Sequence, residues 1–160
     1  MDSTDLRLRP FVPGDDAEVT RWFADAGALR LFAGKRLRWP LDTAQWDGIR
    51  SDPTLTAWTA ILGEDARPVG HGEIVEESPT EVRLAMIAVA PSVRGRGVGR
   101  TMVAALIEKC READYSLVIL FVHPDNATAI RAYRGLGFRP SPVAGNSNSN
   151  SLRMDLRLKK

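Results

Sequence analysis

The sequence has one cysteine, two histidines and no long apolar run. Each shortage excludes something. The lone Cys110 closes no internal disulfide, so nothing points to an oxidising compartment. His71 and His123 are too far apart for metal-ligand spacing, so no metal is expected. Leu117 to Val122, among the longest apolar stretches, falls far short of the ~18 residues of a transmembrane helix. The first residues, MDSTDLRLRP, start acidic and carry no apolar leader pattern. A cytoplasmic protein without a membrane partner is therefore expected. An excess of one charge is lacking too: 22 Lys and Arg against 20 Asp and Glu leave +2. The pI near 9.0 rests on scattered arginines rather than a basic stripe, which disfavours a nucleic-acid partner. Only Arg94, Arg96 and Arg100 cluster tightly, as suits a small polyanion.

What remains is a chain of 160 residues, 44% hydrophobic and 26% charged. That length and balance read as a single domain over 1–160, able to bury roughly 70% of its unfolded surface. Leu6-Arg7-Leu8-Arg9 alternates as a short strand. Pro13 to Asp16 supplies a turn and helix cap, and Val19, Trp22, Phe23 and Ala26 recur at helical spacing. Residues 27 to 41 show no periodicity and read as a loop rich in large apolar groups; Asp42-Thr43 caps a second short helix carrying Trp46 and Ile49. Residues 56–62 and 68–76 form an antiparallel hairpin, and 81–90 a third strand whose second half is apolar on both faces. A helix over 98–113 buries Val98, Met102, Leu106 and Cys110 on one stripe. Strand 117–122, helix 127–134, an extended stretch from Phe138, a polar loop at 145–151 and a last alternating strand from Leu152 complete the chain. The fold class is α/β (α+β), with a mixed, mainly antiparallel sheet of six to seven strands and about four helices.

The most informative segment runs from Val89 to Arg100, VAPSVRGRGVGR. It joins a buried strand to a buried helix, and its glycines bare the backbone where the helix begins. Unpaired N–H groups there, flanked by arginines, suit a pyrophosphate. A nucleoside-triphosphate loop needs Gly-Lys-Ser/Thr, which is absent, and the dinucleotide fingerprint has different glycine spacing and an earlier place. A solvated glycine turn is the alternative. The pattern Arg94-x-x-Gly97-x-Gly99, after Val89-x-Pro91, resembles the acetyl-CoA signature of the GNAT superfamily of N-acetyltransferases. Asn126-x-x-Ala129-x-x-x-Tyr133-x-x-x-Gly137-Phe138 is similar to the family's second motif. The two cover residues 81 to 140, the implied acetyl-CoA core. That leaves 1–80 for the acceptor side and 141–160 for the polar loop and closing strand.

The resemblance implies a GNAT-like fold and acetyl-CoA as co-substrate. Its pyrophosphate would be held by Arg94, Gly95, Arg96, Gly97, Val98, Gly99 and Arg100, and its pantetheine arm by the backbone of Ile87 and Val89 and by Asn126. Tyr133 would be the general acid toward the leaving thiolate; the alternative readings are a core aromatic for Tyr133 and a helix N-cap for Asn126. The strand glutamate that serves several branches of the family as base falls here on Arg83, which accepts no proton at neutral pH. Glu73 is the candidate base instead, beside His71 on one strand face, against the alternatives of an exposed strand carboxylate and a surface or satisfied histidine. Trp39, next to Pro40, is the candidate substrate residue, whereas Trp22 and Trp46 read as core. These implications describe transfer of acetyl to a primary amine of a small molecule or peptide by direct attack, since no cysteine lies near either motif. A CoA-binding regulatory module without catalysis is the rival, and self-association into a homodimer is left open.

Overall fold

The computed structural model describes residues 5–34, 36–142 and 151–159. Its strands are β1 (Leu6–Pro10), β2 (Leu55–Leu62), β3 (Asp65–Glu76), β4 (Glu81–Val89), β5 (Leu117–Val122), β6 (Arg139–Pro140) and β7 (Leu152–Arg157). They form one seven-stranded sheet in the order β1-β2-β3-β4-β5-β7-β6. All neighbours are antiparallel except β4 and β5, which run parallel. Helices α1 (Asp15–Thr20), α2 (Ala26–Ala33) and α3 (Thr43–Ser51) lead from β1 to β2. Helix α4 (Val98–Glu112) crosses from β4 to β5, and α5 (Ala127–Gly135) follows β5.

The mixed sheet is as expected, but the α-helices number five among the described residues rather than about four. The addition is α2, inside the stretch 27–41 that reads as loop. Asp25 starts it, its carboxylate accepting the Ala28 amide at 2.8 Å. Leu29 is its one buried residue, with Ala28, Phe32 and Ala33 packed against the same core, and eight residues are too few for that spacing to stand out within an apolar-rich stretch. Trp22 and Phe23, which share a helical spacing with Val19, lie in the turn between α1 and α2. Asp42 does cap α3, accepting the Gln45 amide at 2.9 Å. Most of the expected polar loop, residues 145–150, lies outside the described residues.

Hydrophobic cores flank the sheet. Ile74 and Val75 are consecutive on β3 and so face opposite sides. Val75 joins Val19, Trp46 and Ile49 beneath α1 to α3, while Ile74 joins Met102, Leu106 and Cys110 beneath α4. Helix α4 sits close on β3 because two glycines face it. A Cβ on Gly70 would stand 2.5 Å from Met102 Sδ, and one on Gly72 2.7 Å from Leu106 Cδ1. On the other side, buried Asp15 ties β1, α1 and β2 together. Its carboxylate accepts two bonds from Arg9, at 2.8 and 3.0 Å, one from the Val12 amide at 3.0 Å and one from the Thr59 hydroxyl at 2.8 Å. Burial pushes this carboxyl up, but those donors outweigh it and hold it below the usual range.

Candidate active site

The sheet opens along β4. Glu81, Val82 and Arg83 pair with Leu117, Val118 and Ile119, and the pairing then stops although both strands continue. The cause lies on the opposite edge of β4. His71 faces Ala88 and Glu73 faces Ala85, so Met86 and Ile87 together oppose Gly72. This is a β-bulge, which bends its strand and frees backbone groups from the ladder. Met86 takes a φ of 51°, uncommon for a residue with a side chain. The extra residue also swaps faces: Val82 and Leu84 pack on the α4 side, whereas Met86 and Ala88 pack beneath α1 to α3. That swap is why the second half of the strand reads as apolar on both faces.

Between the diverging strands lies a cleft of about 560 Å³. Met86 and Ile87 form part of its wall, with Phe32 of α2, Phe121 of β5, and Asn126 and Tyr133 of α5. Asn126 caps α5, its side-chain oxygen accepting the Ala129 amide at 3.2 Å. Tyr133 stands two helical turns further on, hence on the same helix face. Its ring meets Phe138 edge-on at 6.0 Å, and burial pushes its phenol above the ordinary value.

Beyond Val89 the chain makes a 3-10 turn at Pro91–Val93 and enters the glycine loop. Gly95 and Gly97 take φ of 80° and 77°, left-handed conformations that favour glycine. A Cβ at either position would meet nothing within 4 Å, so the loop is open on that side. Gly97 is the N-cap of α4 and offers no side chain to its amides. The first α4 amide bonded within the turn is that of Thr101, to the Gly97 carbonyl at 3.1 Å. The amides of Val98, Gly99 and Arg100 thus belong to the turn in which N–H groups lack intrahelical acceptors. Buried Val98 anchors that end of the helix, and Gly99 packs on Val89. Two of the three clustered arginines are engaged: Arg94 Nε donates to the Val89 carbonyl at 3.1 Å, and Arg100 to the Gly135 carbonyl at 3.3 Å. The Arg100 guanidinium is therefore held at the C-terminal end of α5.

Glu73 lies apart from this constellation. It is 0% exposed, and so is His71, which corrects the readings of an exposed carboxylate and a surface histidine. One Glu73 oxygen is 3.0 Å from His71 Nε2 and the other accepts from Arg36 at 3.1 Å. Arg36 also reaches Asp52 at 3.8 Å and Met86 Sδ at 3.7 Å, joining the bulge to the α2–α3 connection. His71 is ringed by Phe11, Phe32 and Trp46, and its Nδ1 is buried without a partner. Nothing in the spacing of Arg36 announced this role. Arg83 pairs with Glu77 at 2.6 Å. Trp22 and Trp46 are core residues, as expected, while Trp39 is 44% exposed and lies in a separate hollow beside α2. Among the described residues no group of His, Cys, Asp and Glu is arranged to hold a metal ion, and no helix is long and apolar enough to cross a membrane.

An unpaired strand edge along a trough, ending at an amide-lined turn, is an arrangement that suits an extended ligand with an anionic end. Residues 17–138 match the model of the acetyltransferase (GNAT) family, and the chain belongs to that family. Among curated relatives, the mycothiol acetyltransferase of Renibacterium salmoninarum is 31% identical over 91% of this chain and 46% of its own length. That of Nocardia farcinica is 29% identical over 82% of this chain and 44% of its own. The chain thus spans less than half of either relative. A domain from Methanocaldococcus jannaschii shares the fold at TM-score 0.79 and 17% identity, over 96% of this chain and 98% of that one. The Vibrio cholerae spermidine N-acetyltransferase, in complex with CoA and spermine, does so at TM-score 0.77 and 15% identity, over 96% of each chain.

Proposed function

We propose that this chain is an N-acetyltransferase moving the acetyl group of acetyl-CoA to a primary amine by direct attack. The carrying observation is the cleft between β4 and β5, with an unpaired strand edge on one wall and Asn126 and Tyr133 on the other. The residues fit the co-substrate. Open space over Gly95 and Gly97 and the first amides of α4 suit the pyrophosphate, while Arg94 and Arg96 add charge. The backbone of Ile87 and Val89 would receive the peptide-like pantetheine arm as an added strand, and Asn126 would bond it from the facing wall. Acetyl-CoA supplies the thioester. As the amine nitrogen bonds the carbonyl carbon and the C–S bond breaks, the Tyr133 hydroxyl donates its proton to the departing sulfur, and the proton released by the nitrogen returns through water to the Tyr133 oxygen. Burial keeps that phenol protonated at neutral pH.

Glu73 is sealed between His71 and Arg36, so a role as base requires a proton path through His71 or water. The acceptor side is assigned to residues 1–80, within a single cytoplasmic domain. The test is thiol release from acetyl-CoA with a panel of amines, comparing wild type with Tyr133→Phe. Turnover that falls about a hundredfold in the variant, with acetyl-CoA binding intact, is expected. Binding of acetyl-CoA without turnover on any amine would instead favour a regulatory CoA-binding module.

A further inference from the structure

Resting on the acetyltransferase reading, we propose that the acceptor is a primary amine flanked by a large apolar group, which Leu31 and Phe121 receive on the α2 side of the cleft. The cleft is lined from both faces of the sheet. Leu84, Leu120 and Val122 belong to the core beneath α4, whereas Met86 and Phe32 belong to the one beneath α1 to α3. Phe121 stands between Leu120 and Val122 on β5 and so points to that second side. Tyr133 packs on the α4 core, the side on which the first turn of α4 would hold acetyl-CoA. The acceptor therefore meets the thioester from the α2 side.

That side presents apolar surface to solvent. Four large apolar side chains are exposed among the described residues, and two of them, Leu31 at 80% and Phe121 at 41%, line this one cleft. A single exposed leucine is ordinary, but two such groups sharing a cleft with an aromatic ring make a seat for an apolar body. Phe32 is that ring, fixed by stacking on buried Phe23 at 4.6 Å. Charge argues against a polycation. Asp125 is the one carboxylate in the lining, with the His123 imidazole 3.7 Å away, and Glu73 is sealed off. The matching acceptor carries no charge near its reacting amine, whether it is a small free amine or the first residue of a peptide.

The test measures kcat/KM for thiol release with glycinamide, leucinamide, phenylalaninamide, Phe-Ala-Ala amide and spermidine. The first three share an α-amine beside an amide and differ in apolar body alone. Leucinamide and phenylalaninamide are expected to exceed glycinamide about tenfold, as partial burial of such a side chain provides, with spermidine poorest. A higher value for Phe-Ala-Ala amide than for phenylalaninamide assigns a peptide N-terminus, and the reverse a small amine; either keeps the apolar seat. In Leu31→Ser/Phe121→Ser the ratio of phenylalaninamide to glycinamide should fall toward one, and Leu31→Asp should raise spermidine relative to phenylalaninamide. An unchanged melting temperature excludes misfolding, and Leu31→Ser alone, at the more exposed site, serves if the double variant melts lower. Equal values for the three amides, a preference for spermidine, or ratios unmoved in the variants overturns the inference alone. Acetyl-CoA that fails to raise the melting temperature, or that binds without transfer to any amine, would instead defeat the acetyltransferase reading on which it rests.

Discussion

At the scale of single residues, burial decides what each group can do. Tyr133 and Glu73 are both half of a spacing that chemistry would favour, yet Tyr133 faces the cleft and Glu73 is locked in a buried pair. The raised phenol of Tyr133 predicts no loss of rate from its ionisation below about pH 10, the ordinary tyrosine value, in a kcat profile on a saturating amine. A fall well below that pH would assign the acid to another group. Glu73→Gln keeps the size of the side chain but removes the charge that holds Arg36. It should lower stability by about 1–3 kcal/mol in urea unfolding, because the Arg36 contact becomes a neutral-acceptor bond and buried His71 loses its carboxylate. Asp15→Ala strands Arg9 and should cost about 2–3 kcal/mol in the same measurement. The motif residues were legible at this scale because glycine, asparagine and tyrosine occur at diagnostic spacing. Arg36 was not, since Glu73 and Met86, which it joins, stand 37 and 50 positions away.

At the scale of elements, periodicity located most strands and α4 well and failed on α2. A long helix with a buried stripe, such as α4, writes a 3.6-residue period into its sequence. Helix α2 spaces Leu29, Phe32 and Ala33 in the same way, but over only eight residues within an apolar-rich stretch that spacing does not tell helix from loop. The β4 bulge was equally invisible, for it adds no residue type of its own and shows only as a register shift against β3. Its effect on the cleft is large, because β4 parts from β5 beyond Arg83 and Met86 turns toward the core beneath α1 to α3. The loop that follows is the better place for a test. Gly97→Val forces a β-branched side chain into φ 77° and puts methyl groups where a phosphate would approach. A stability loss of about 1–2 kcal/mol is expected from the backbone alone. Acetyl-CoA affinity measured by calorimetry should fall by much more than that loss, whereas equal affinity would remove the loop from the site.

At the scale of the whole molecule, stability should fall off at both ends of the pH range, for traceable reasons. The Asp15 carboxyl titrates lower folded than unfolded, so its contribution is full above about pH 4 and fades as pH falls through the folded value. Burial pushes the Cys110 thiol up to about 12 from an ordinary value of 9.0. Its contribution is full below that ordinary value and is lost as pH rises toward 12, with Tyr133 adding in the same direction. Melting temperatures from pH 3 to 11 check both limbs, and Cys110→Ser should flatten the alkaline one. The sequence by itself determined the class of fold, the order of most elements and the family, because hydrophobic period, turn residues and glycine spacing are local quantities. Only the tertiary structure decided that Glu73 is sealed, that Arg100 is tied to α5, that Trp39 stands outside the cleft, and that Leu31 and Phe121 line it. Those outcomes depend on which distant residues share a neighbourhood, a relation set by the register of β3 against β4 and the packing of α2 rather than by any short stretch of chain.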